Sequence, residues 1–330
     1  MNILITGASG FIGSFLVEEA LRRGFETWAG VRKTSSRKYL ADPRIHFVEL
    51  DFSSQEKLEE ALRGLRFDYV VHAAGATKCL HADDFFHINT EGTRHFVDAL
   101  RAVGMPLRRF VYMSSLSVFG AIREKQPYAD ILPTDKPRPN TAYGRSKLQA
   151  EEYLDGLEDF PYVVLRPTGV YGPREKDYYM MAQSIARHMD FSVGFKRQDI
   201  TFVYVADVVQ AAFEALTHGR VGGKYFLSDG QVYTSRDFSD LLHDALGRPW
   251  WIRVKAPLWL LRLITWGGEL AGRLTGRMSV LNNDKYNILS QRNWRCDISQ
   301  ARAELGYEPH VRLAEGVSRT VAWYKESGWL

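Results

Sequence analysis

Residues 2–13 read "NILITGASGFIG", an apolar run followed by Gly7, Gly10 and Gly13 at three-residue spacing. The apolar run predicts a buried strand, and the residues after the glycines predict a helix. Gly7 permits a tight turn, Gly10 lets backbone approach a pyrophosphate, and Gly13 lets the helix pack closely on the strand. Because the first turn of a helix has free N–H groups and a positive dipole end, the stretch predicts a dinucleotide-binding βα unit. A glycine-rich turn without a ligand is the alternative.

Strands and helices alternate through the rest of the first half of the chain. The further strand segments are ETWAGVR, IHFVEL, DYVVHAA, RFVYMSS and YVVLRP. Since this alternation is typical of a doubly wound parallel sheet, we predict an α/β fold with a Rossmann domain over residues 1–170. The pattern loosens afterwards, and residues 171–330 are expected to form a smaller, mostly helical substrate-binding lobe. Within that lobe we expect the segment 201–217 to return to the main sheet.

Composition excludes several functional classes. The 330 residues are 45% apolar and 25% charged, which is ordinary for a soluble globular protein. The net charge of +4 is small and the basic residues are dispersed, so no nucleic-acid partner is expected. The nine His residues, Cys79 and Cys296 show no metal-ligand spacing, so we expect no metal site and a reducing compartment.

Neither the N-terminus nor the apolar windows predict membrane insertion or export. The opening "MNILITGASG" enters a strand at once and leaves no room for a secretory signal. The most apolar window is interrupted by charged residues and is too short to span a bilayer. We therefore expect a cytoplasmic protein with no transmembrane segment.

The segment after the second strand bears on which nicotinamide cofactor would bind. It reads "GVRKTSSRK", with no acidic residue to accept hydrogen bonds from a ribose 2′-hydroxyl. Arg32 and Lys33 can neutralise a 2′-phosphate, and Ser35 or Ser36 can donate hydrogen bonds to it. The pattern favours NADP(H), with NAD(H) as a second possibility. A solvated basic loop without a ligand is the alternative.

Other expected cofactor contacts follow the third, fourth and sixth strands. Asp51 and Phe52 come directly after the third strand, where a carboxylate and backbone can face the adenine. Small residues end the fourth strand, as close approach of a cofactor requires, whereas His72 there is expected to be a hydrogen-bonded core or rim residue. The remaining expected cofactor contacts are Ser9, Phe11, Ile12, Ala73, Ala74, Gly75, Pro167 and Val170.

The segment "NTAYGRSKLQAEEYL", residues 140–154, contains a candidate acid–base pair. Tyr143 and Lys147 are four residues apart and share one face of a helix. A phenol titrates near 10, so action near pH 7 needs its anion stabilised by about 3 units, roughly 4 kcal/mol. We expect Lys147 to supply part of this and a nicotinamide ring to supply more. Ser114 or Ser115, at the end of the fifth strand, can bind the substrate oxygen; two surface residues on a helix are the alternative.

Several motifs together resemble the extended short-chain dehydrogenase/reductase family, the NAD(P)-dependent epimerases and dehydratases. They are "TGASGFIG", "HAAG", "SSLSVFG", "YGRSK", "LRPTGVYGP" and "FVYVADVV", and the similarity covers nearly the whole chain. The resemblance implies that Tyr143 is the general acid/base, that Lys147 holds the nicotinamide ribose, and that Ser115 binds the substrate hydroxyl. It also implies that Asn89 is structural and that a homodimer, which is common in the family, is possible.

Two enzyme classes of this family share that machinery. Oxidoreductases release the cofactor after hydride transfer, whereas nucleotide-sugar epimerases and dehydratases retain tightly bound NAD(P) and return the hydride. The sugar-nucleotide branch commonly has an asparagine where this chain has Gly169, and usually an arginine for the diphosphate where it has Ile200, with Arg197 three residues away. Both departures favour an oxidoreductase, with the epimerase or dehydratase as the alternative. A cofactor-binding sensor without catalysis ranks last, because the tyrosine and the lysine are both intact.

The apolar segment within 256–274 has three open interpretations. In "PLWLLRLITWGGELAGRL", the polar residues Arg262, Thr265, Glu269 and Arg273 fall on one narrow helical stripe. The wide apolar face can line a pocket for a large apolar substrate, contact a membrane peripherally, or pack in the core of the lobe. The resemblance here is closest to the 3β-hydroxysteroid dehydrogenase and dihydroflavonol reductase branch. We therefore expect hydride transfer to or from a hydroxyl or ketone of an apolar, steroid- or flavonoid-like substrate.

Overall fold

A computed structural model describes residues 1–247, 250–275 and 283–330, with side chains not described over 269–275. The strands are β1 (Asn2–Thr6), β2 (Glu26–Val31), β3 (His46–Glu49), β4 (Tyr69–His72), β5 (Arg109–Met113), β6 (Tyr162–Pro167), β7 (Gly169–Tyr171), β8 (Met189–Val193), β9 (Asp199–Ile200), β10 (Phe202–Tyr204), β11 (Lys224–Leu227), β12 (Tyr233–Thr234), β13 (Ile252–Ala256) and β14 (Asn293–Trp294). The α-helices are α1 (Phe11–Arg22), α2 (Gln55–Leu62), α3 (Ala82–Phe85), α4 (Gly92–Ala102), α5 (Ala142–Asp155), α6 (Asp177–Ala186), α7 (Val205–Glu214), α8 (Asp237–Leu246), α9 (Leu258–Thr275), α10 (Asn283–Ser290), α11 (Ser299–Leu305) and α12 (Leu313–Glu326).

The main sheet confirms the predicted fold class. Among the described residues it has seven parallel strands in the order β11-β6-β5-β4-β1-β2-β3. The side chains of β1 alternate between two cores: Ile3 and Ile5 lie in the cluster that includes α1 and α7, and Leu4 in the cluster that includes α2, α4 and α5. Because both faces are covered, the strands are apolar throughout, as is typical of doubly wound parallel sheets.

The segment 201–217 does not join the main sheet as expected. Its strand β10 pairs with β7 in a separate two-stranded sheet, while its helix α7 packs against α1. The strand that completes the main sheet is β11, which pairs in parallel with β6. Both segments are short apolar strands, and their sequences do not specify which partner each one takes.

The segments after β7 form small sheets and helices. Strands β8 and β13 pair in parallel, β12, β9 and β14 form a three-stranded sheet, and α12 packs on α8. Helix α9 is in contact mainly with α10. Over the described residues, no helix is both long enough and apolar enough to cross a membrane.

Candidate active site

The turn between β1 and α1 is too tightly packed for any residue larger than glycine at two positions. Gly7 has a φ of +67°, and a Cβ added there would lie 2.6 Å from the carbonyl oxygen of Ala73. A Cβ at Gly13 would lie 2.0 Å from the carbonyl oxygen of Gly7. The N-cap residue Gly10 makes no side-chain cap, and the first turn of α1 has no acidic residue. The N–H groups of this turn are therefore free for an anion, as a cofactor pyrophosphate requires.

Two basic side chains of the loop after β2, those of Arg32 and Lys33, are free. Arg32 and Lys33 are exposed, and within the described residues their side chains make no hydrogen bond or ion pair. The hydroxyls of Ser35 and Ser36 instead accept from the backbone N–H groups of Arg32 and Lys38, at 3.0 and 3.3 Å. The two serines thus stabilise the loop through hydrogen bonds with its backbone, while the side chains of Arg32 and Lys33 are exposed to solvent. This arrangement fits a 2′-phosphate.

Asp51 and Phe52 follow β3 as expected but have different surroundings. The Asp51 carboxylate accepts from Lys57 Nζ at 2.7 Å, and this contact holds the pKa of the carboxyl at about 2. The ring of Phe52 packs edge-on against the ring of Phe96 and in a tilted orientation against the ring of His72. Asp51 is therefore exposed and anionic near the expected adenine position, while the Phe52 ring belongs partly to the core.

His72 is a hydrogen-bonded core residue, in agreement with the sequence expectation. Its Nδ1 lies 2.8 Å from the Thr6 hydroxyl and its Nε2 lies 3.1 Å from the Thr93 hydroxyl. Burial lowers its pKa to about 3, so the ring stays neutral. The Thr6 hydroxyl also accepts from the N–H of Ala74 at 3.2 Å, which fixes the end of β4 beside the glycine turn.

Ser115 and Tyr143 meet at the carboxyl edge of the sheet. Ser115 follows β5 and caps the short 3₁₀ turn Leu116–Val118, while Tyr143 lies in the first turn of α5, which Thr141 caps. Burial raises the pKa of Tyr143 to about 12, and a hydrogen bond with Ser115 acts in the opposite direction. Within the protein, desolvation of the phenol outweighs the hydrogen bond with Ser115, and the lowering expected from a nicotinamide ring stays a prediction.

Lys147 lies deeper in the protein than Tyr143. Its Nζ donates to the carbonyl oxygen of Met113 at 2.8 Å and lies 4.8 Å from the ring centre of Tyr112. Burial lowers its pKa to about 8. Among the described hydrogen bonds none joins Lys147 to Tyr143, so the lysine does not stabilise the phenolate by direct contact. A Cβ added at Gly75 would lie 3.2 Å from Nζ, so the ammonium borders the expected cofactor path.

Glu151 is a site-supporting residue that the sequence reasoning missed. It is fully buried, and its carboxylate accepts from Arg166 at 2.5 and 3.0 Å and from the Ser114 hydroxyl at 2.5 Å. Its charge raises the pKa of Lys147 against the effect of burial. Because Ser114 is committed to this network, Ser115 is the serine that faces Tyr143. The signal in the sequence was the continued four-residue spacing from Tyr143 through Lys147 to Glu151.

The sequence analysis also missed Asp284, because no local sequence pattern indicates its contact with the site. From α10 its carboxylate accepts from the N–H of Ala142 at 2.8 Å and from the N–H of Tyr143 at 3.3 Å. It therefore caps the N-terminus of the helix that carries the phenol. Asn89, on the π-helical turn Phe86–Glu91, bonds the backbone of Ala76 and the Ser146 hydroxyl, which fits the structural part that the resemblance implies.

The remaining expected contacts line the same edge of the sheet. Pro167 ends β6 and Val170 lies in β7, where it pairs with Val203. Ser9, Phe11 and Ile12 lie in the turn and the first turn of α1, each partly exposed.

Comparisons with known proteins agree with this geometry. The model of the NAD dependent epimerase/dehydratase family matches residues 3–227. A 3-beta-hydroxysteroid dehydrogenase from Mycolicibacterium neoaurum is 27% identical, covering 98% of this chain and 92% of that protein. A dTDP-glucose 4,6-dehydratase from Actinoplanes sp. is 26% identical, covering 98% of both. The crystal structure of a dTDP-glucose 4,6-dehydratase from Streptomyces venezuelae with NAD and TYD bound has the same fold, with a TM-score of 0.80 at 24% identity over 100% of this chain and 98% of that one.

Proposed function

This chain belongs to the NAD dependent epimerase/dehydratase family, an enzyme of the extended short-chain dehydrogenase/reductase type, and we propose that within the family it is an oxidoreductase. It transfers a hydride between a nicotinamide cofactor and the hydroxyl or ketone of an apolar substrate, for example a steroid or a flavonoid. Relatives named for steroid oxidation and for sugar-nucleotide dehydration both match nearly the whole chain, so the choice depends on the site. The main observation in favour of an oxidoreductase is the packing at Gly169.

Gly169 lies against aromatic side chains at the position where sugar-nucleotide enzymes commonly have an asparagine. A Cβ at this position would lie 2.7 Å from the hydroxyl oxygen of Tyr178 and 3.4 Å from the ring of Phe202. The Tyr178 ring is itself packed on Phe238, with 4.6 Å between ring centres. Aromatic side chains thus surround the position from which that amide would project, and Phe202 and Phe238 among them are buried in the core. Because a glycine offers a sugar no hydrogen-bonding side chain, this position supports a substrate that is not a nucleotide sugar.

The diphosphate-binding arginine of the sugar-nucleotide branch has no equivalent at its own position in β9. Ile200 occupies its place in β9 and pairs with Tyr233. The nearest alternative, Arg197, donates to the carboxylate of Asp199 at 2.6 Å. A nucleotide diphosphate needs charge-assisted donors that are not already engaged. Both residues therefore support the oxidoreductase over the epimerase or dehydratase.

Each catalytic side chain has a definite task in the proposed reaction. When bound, the nicotinamide cofactor supplies or accepts the hydride. With a pKa of about 12 the Tyr143 phenol is protonated near neutral pH, so it can donate its proton to a carbonyl oxygen as the carbonyl becomes an alcohol. Ser115 orients that oxygen through its hydroxyl. We expect Lys147, beside Gly75, to donate to the hydroxyls of the nicotinamide ribose.

We further propose a preference for NADP(H), which the free cations Arg32 and Lys33 support. A ribose 2′-phosphate carries about two negative charges, and two unpaired cations at the end of β2 match it. Replacement of both residues by alanine should raise the KM for NADPH tenfold or more, by about 1.4 kcal/mol per factor of ten, and leave the KM for NADH nearly unchanged. An equal effect on both cofactors would contradict the proposed contact with the 2′-phosphate.

The reaction class is tested on the purified protein. Oxidoreductase chemistry predicts exchangeable cofactor and consumption of NADPH with a panel of ketosteroids and flavonoids. Tightly retained nicotinamide, with turnover of UDP-glucose or dTDP-glucose and no net change in absorbance at the NADPH band, would instead establish the epimerase or dehydratase.

A matched pair of tyrosine variants tests the acid–base assignment. Tyr143→Phe should lower turnover by a factor of about 10² to 10⁴ while cofactor affinity stays nearly constant. Tyr153→Phe is the control on the same helix, because its hydroxyl donates to Asp98 away from the site. A fully active Tyr143→Phe variant would refute the mechanism.

A further inference from the structure

A large apolar surface is exposed around α9 and the β8–β13 pair. It is made of aromatic and aliphatic side chains, and Trp259 and Trp266 are 64% and 62% exposed. Monomeric proteins rarely expose apolar areas of this extent without a binding partner. We call it the tryptophan surface; its exposed members are Phe191, Phe195, Trp250, Ile252, Val254, Trp259, Leu260, Leu263, Ile264 and Trp266.

The β8–β13 pair has its apolar side outward and its polar side inward. The parallel register places Val254 beside Phe191, and both side chains are exposed. The intervening residue Asp190 is buried and accepts from the Ser239 hydroxyl of α8 at 2.9 Å and from Arg236 at 2.8 Å. Since successive side chains point to opposite faces, the exposed face of this pair is the apolar one. Exposure of this apolar face to water is unfavourable unless another apolar medium covers the face.

Helix α9 also exposes an apolar stripe. Among its described side chains, Leu261 and Thr265 are buried, while Trp259, Leu263 and Trp266 form an exposed stripe on the opposite side. Thr265, expected on a polar stripe, therefore faces the protein; the side chains of Glu269 and Arg273 lie outside the described residues. The apolar face of α9 is not packed in the core.

The charges of this surface indicate its partner. Residues 250–266 contain Arg253, Lys255 and Arg262 and no acidic residue. Arg253 is paired with Asp190 and Asp240, so the cations available to a partner are Lys255 and Arg262. Lys255 Nζ lies 5.0 Å from the ring centre of Phe195, within the surface itself. A second copy of the chain, paired about a two-fold axis, would bring the same cations together. A bilayer with anionic lipids complements them, and tryptophan is enriched at the level of the lipid headgroups.

We propose that the tryptophan surface docks the protein on an anionic lipid bilayer. Helix α9 lies in the plane of the headgroup–acyl boundary, with the outward face of β8–β13 beside it. The proposal does not depend on the reaction assigned above. It does place the membrane next to the site, because α9 packs on α10 and Asp284 of α10 caps the helix of Tyr143.

Vesicle co-sedimentation of the full chain tests the proposal. The protein should sediment with vesicles of phosphatidylcholine that contain about one third phosphatidylglycerol, and much less with phosphatidylcholine alone. Trp259→Ser and Trp266→Ser should each lower the partition coefficient about tenfold, since each removes an aromatic side chain from the boundary. Lys255→Glu and Arg262→Glu should each lower it about fivefold or more, and only with anionic vesicles.

Val221→Ser is the matched control, because Val221 is 57% exposed and lies after α7. It should bind vesicles as the wild type does. These positions are all exposed, so the variants are expected to fold, and circular dichroism checks this. A wild type that stays in the supernatant with anionic vesicles overturns the proposal. So does a wild-type dimer that the tryptophan variants dissociate in the absence of lipid, because a second copy would then cover the surface.

Discussion

Glu151→Gln perturbs the deepest charge of the candidate active site. The carboxylate is fully buried and bonds Arg166, which is 4% exposed, through two contacts. The glutamine keeps the shape and one acceptor but leaves the Arg166 charge without its counter-ion. Removing one partner of a buried ion pair typically costs 3–5 kcal/mol, so we expect a loss of about this size in the free energy of unfolding.

The same substitution should also change the pKa of Lys147, which lies one helical turn away on α5. Glu151 raises the pKa of Lys147, and burial still brings it down to about 8. Without the carboxylate the pKa falls further, so the ammonium loses its proton at a lower pH. With a pKa of about 8 roughly nine in ten lysines are charged at pH 7, and each further unit of lowering removes a large part of them. The alkaline limb of the pH–rate profile should therefore move to lower pH.

Two measurements check this, urea unfolding and the pH dependence of kcat/KM. Glu152→Gln is the control, because it removes the same charge from the next residue, which is exposed. The free energy of unfolding of that variant should stay within about 0.5 kcal/mol of the wild-type value, and the alkaline limb of its pH–rate profile should not move. If Glu151→Gln is as stable as Glu152→Gln and has an unchanged limb, the charge network beneath Lys147 has no part in the site.

Three further substitutions test other parts of the structure. Gly13→Ala should abolish cofactor binding in a fluorescence titration, because its Cβ would lie 2.0 Å from a carbonyl oxygen, whereas Gly156→Ala, with 3.5 Å to its nearest contact, should bind normally. His72 takes its proton near 6.5 when unfolded but only near 3 when folded, so stability is lost as pH falls between these values. Urea unfolding of His72→Asn at about pH 7 and about pH 4 should show a decline smaller than that of the wild type by about 3 kcal/mol. Asp284→Ala should cost about 1 kcal/mol in urea unfolding and lower kcat, because the N–H groups of Ala142 and Tyr143 lose an acceptor while Thr141 still caps α5, and Asp284→Asn should retain most of both; an unchanged kcat in Asp284→Ala would mean that Asp284 does not position Tyr143.

The sequence predicts the first half of the fold because its signals there are local. The apolar runs, the glycines of the first turn and the alternation of strands with helices each depend on neighbouring residues. The partner of a short strand is a long-range property. Strands β10 and β11 are both short and apolar, yet one joins β7 and the other completes the main sheet. Asp284 was missed for the same reason, since it lies 142 positions from the Ala142 N–H that it caps.

The pKa of Tyr143 depends on a property that helical spacing does not give. Helical spacing correctly predicts that Tyr143 and Lys147 share a face, but it gives no depth below the surface, and depth decides the cost of a charge. Going down α5, Tyr143 is partly exposed, Lys147 is 5% exposed and Glu151 is 0% exposed. The ammonium needs the Met113 carbonyl and a nearby carboxylate, and that carboxylate needs Arg166. Each charge depends on the one beneath it, so a change at the deepest pair should alter proton transfer at the top of the helix, two turns away.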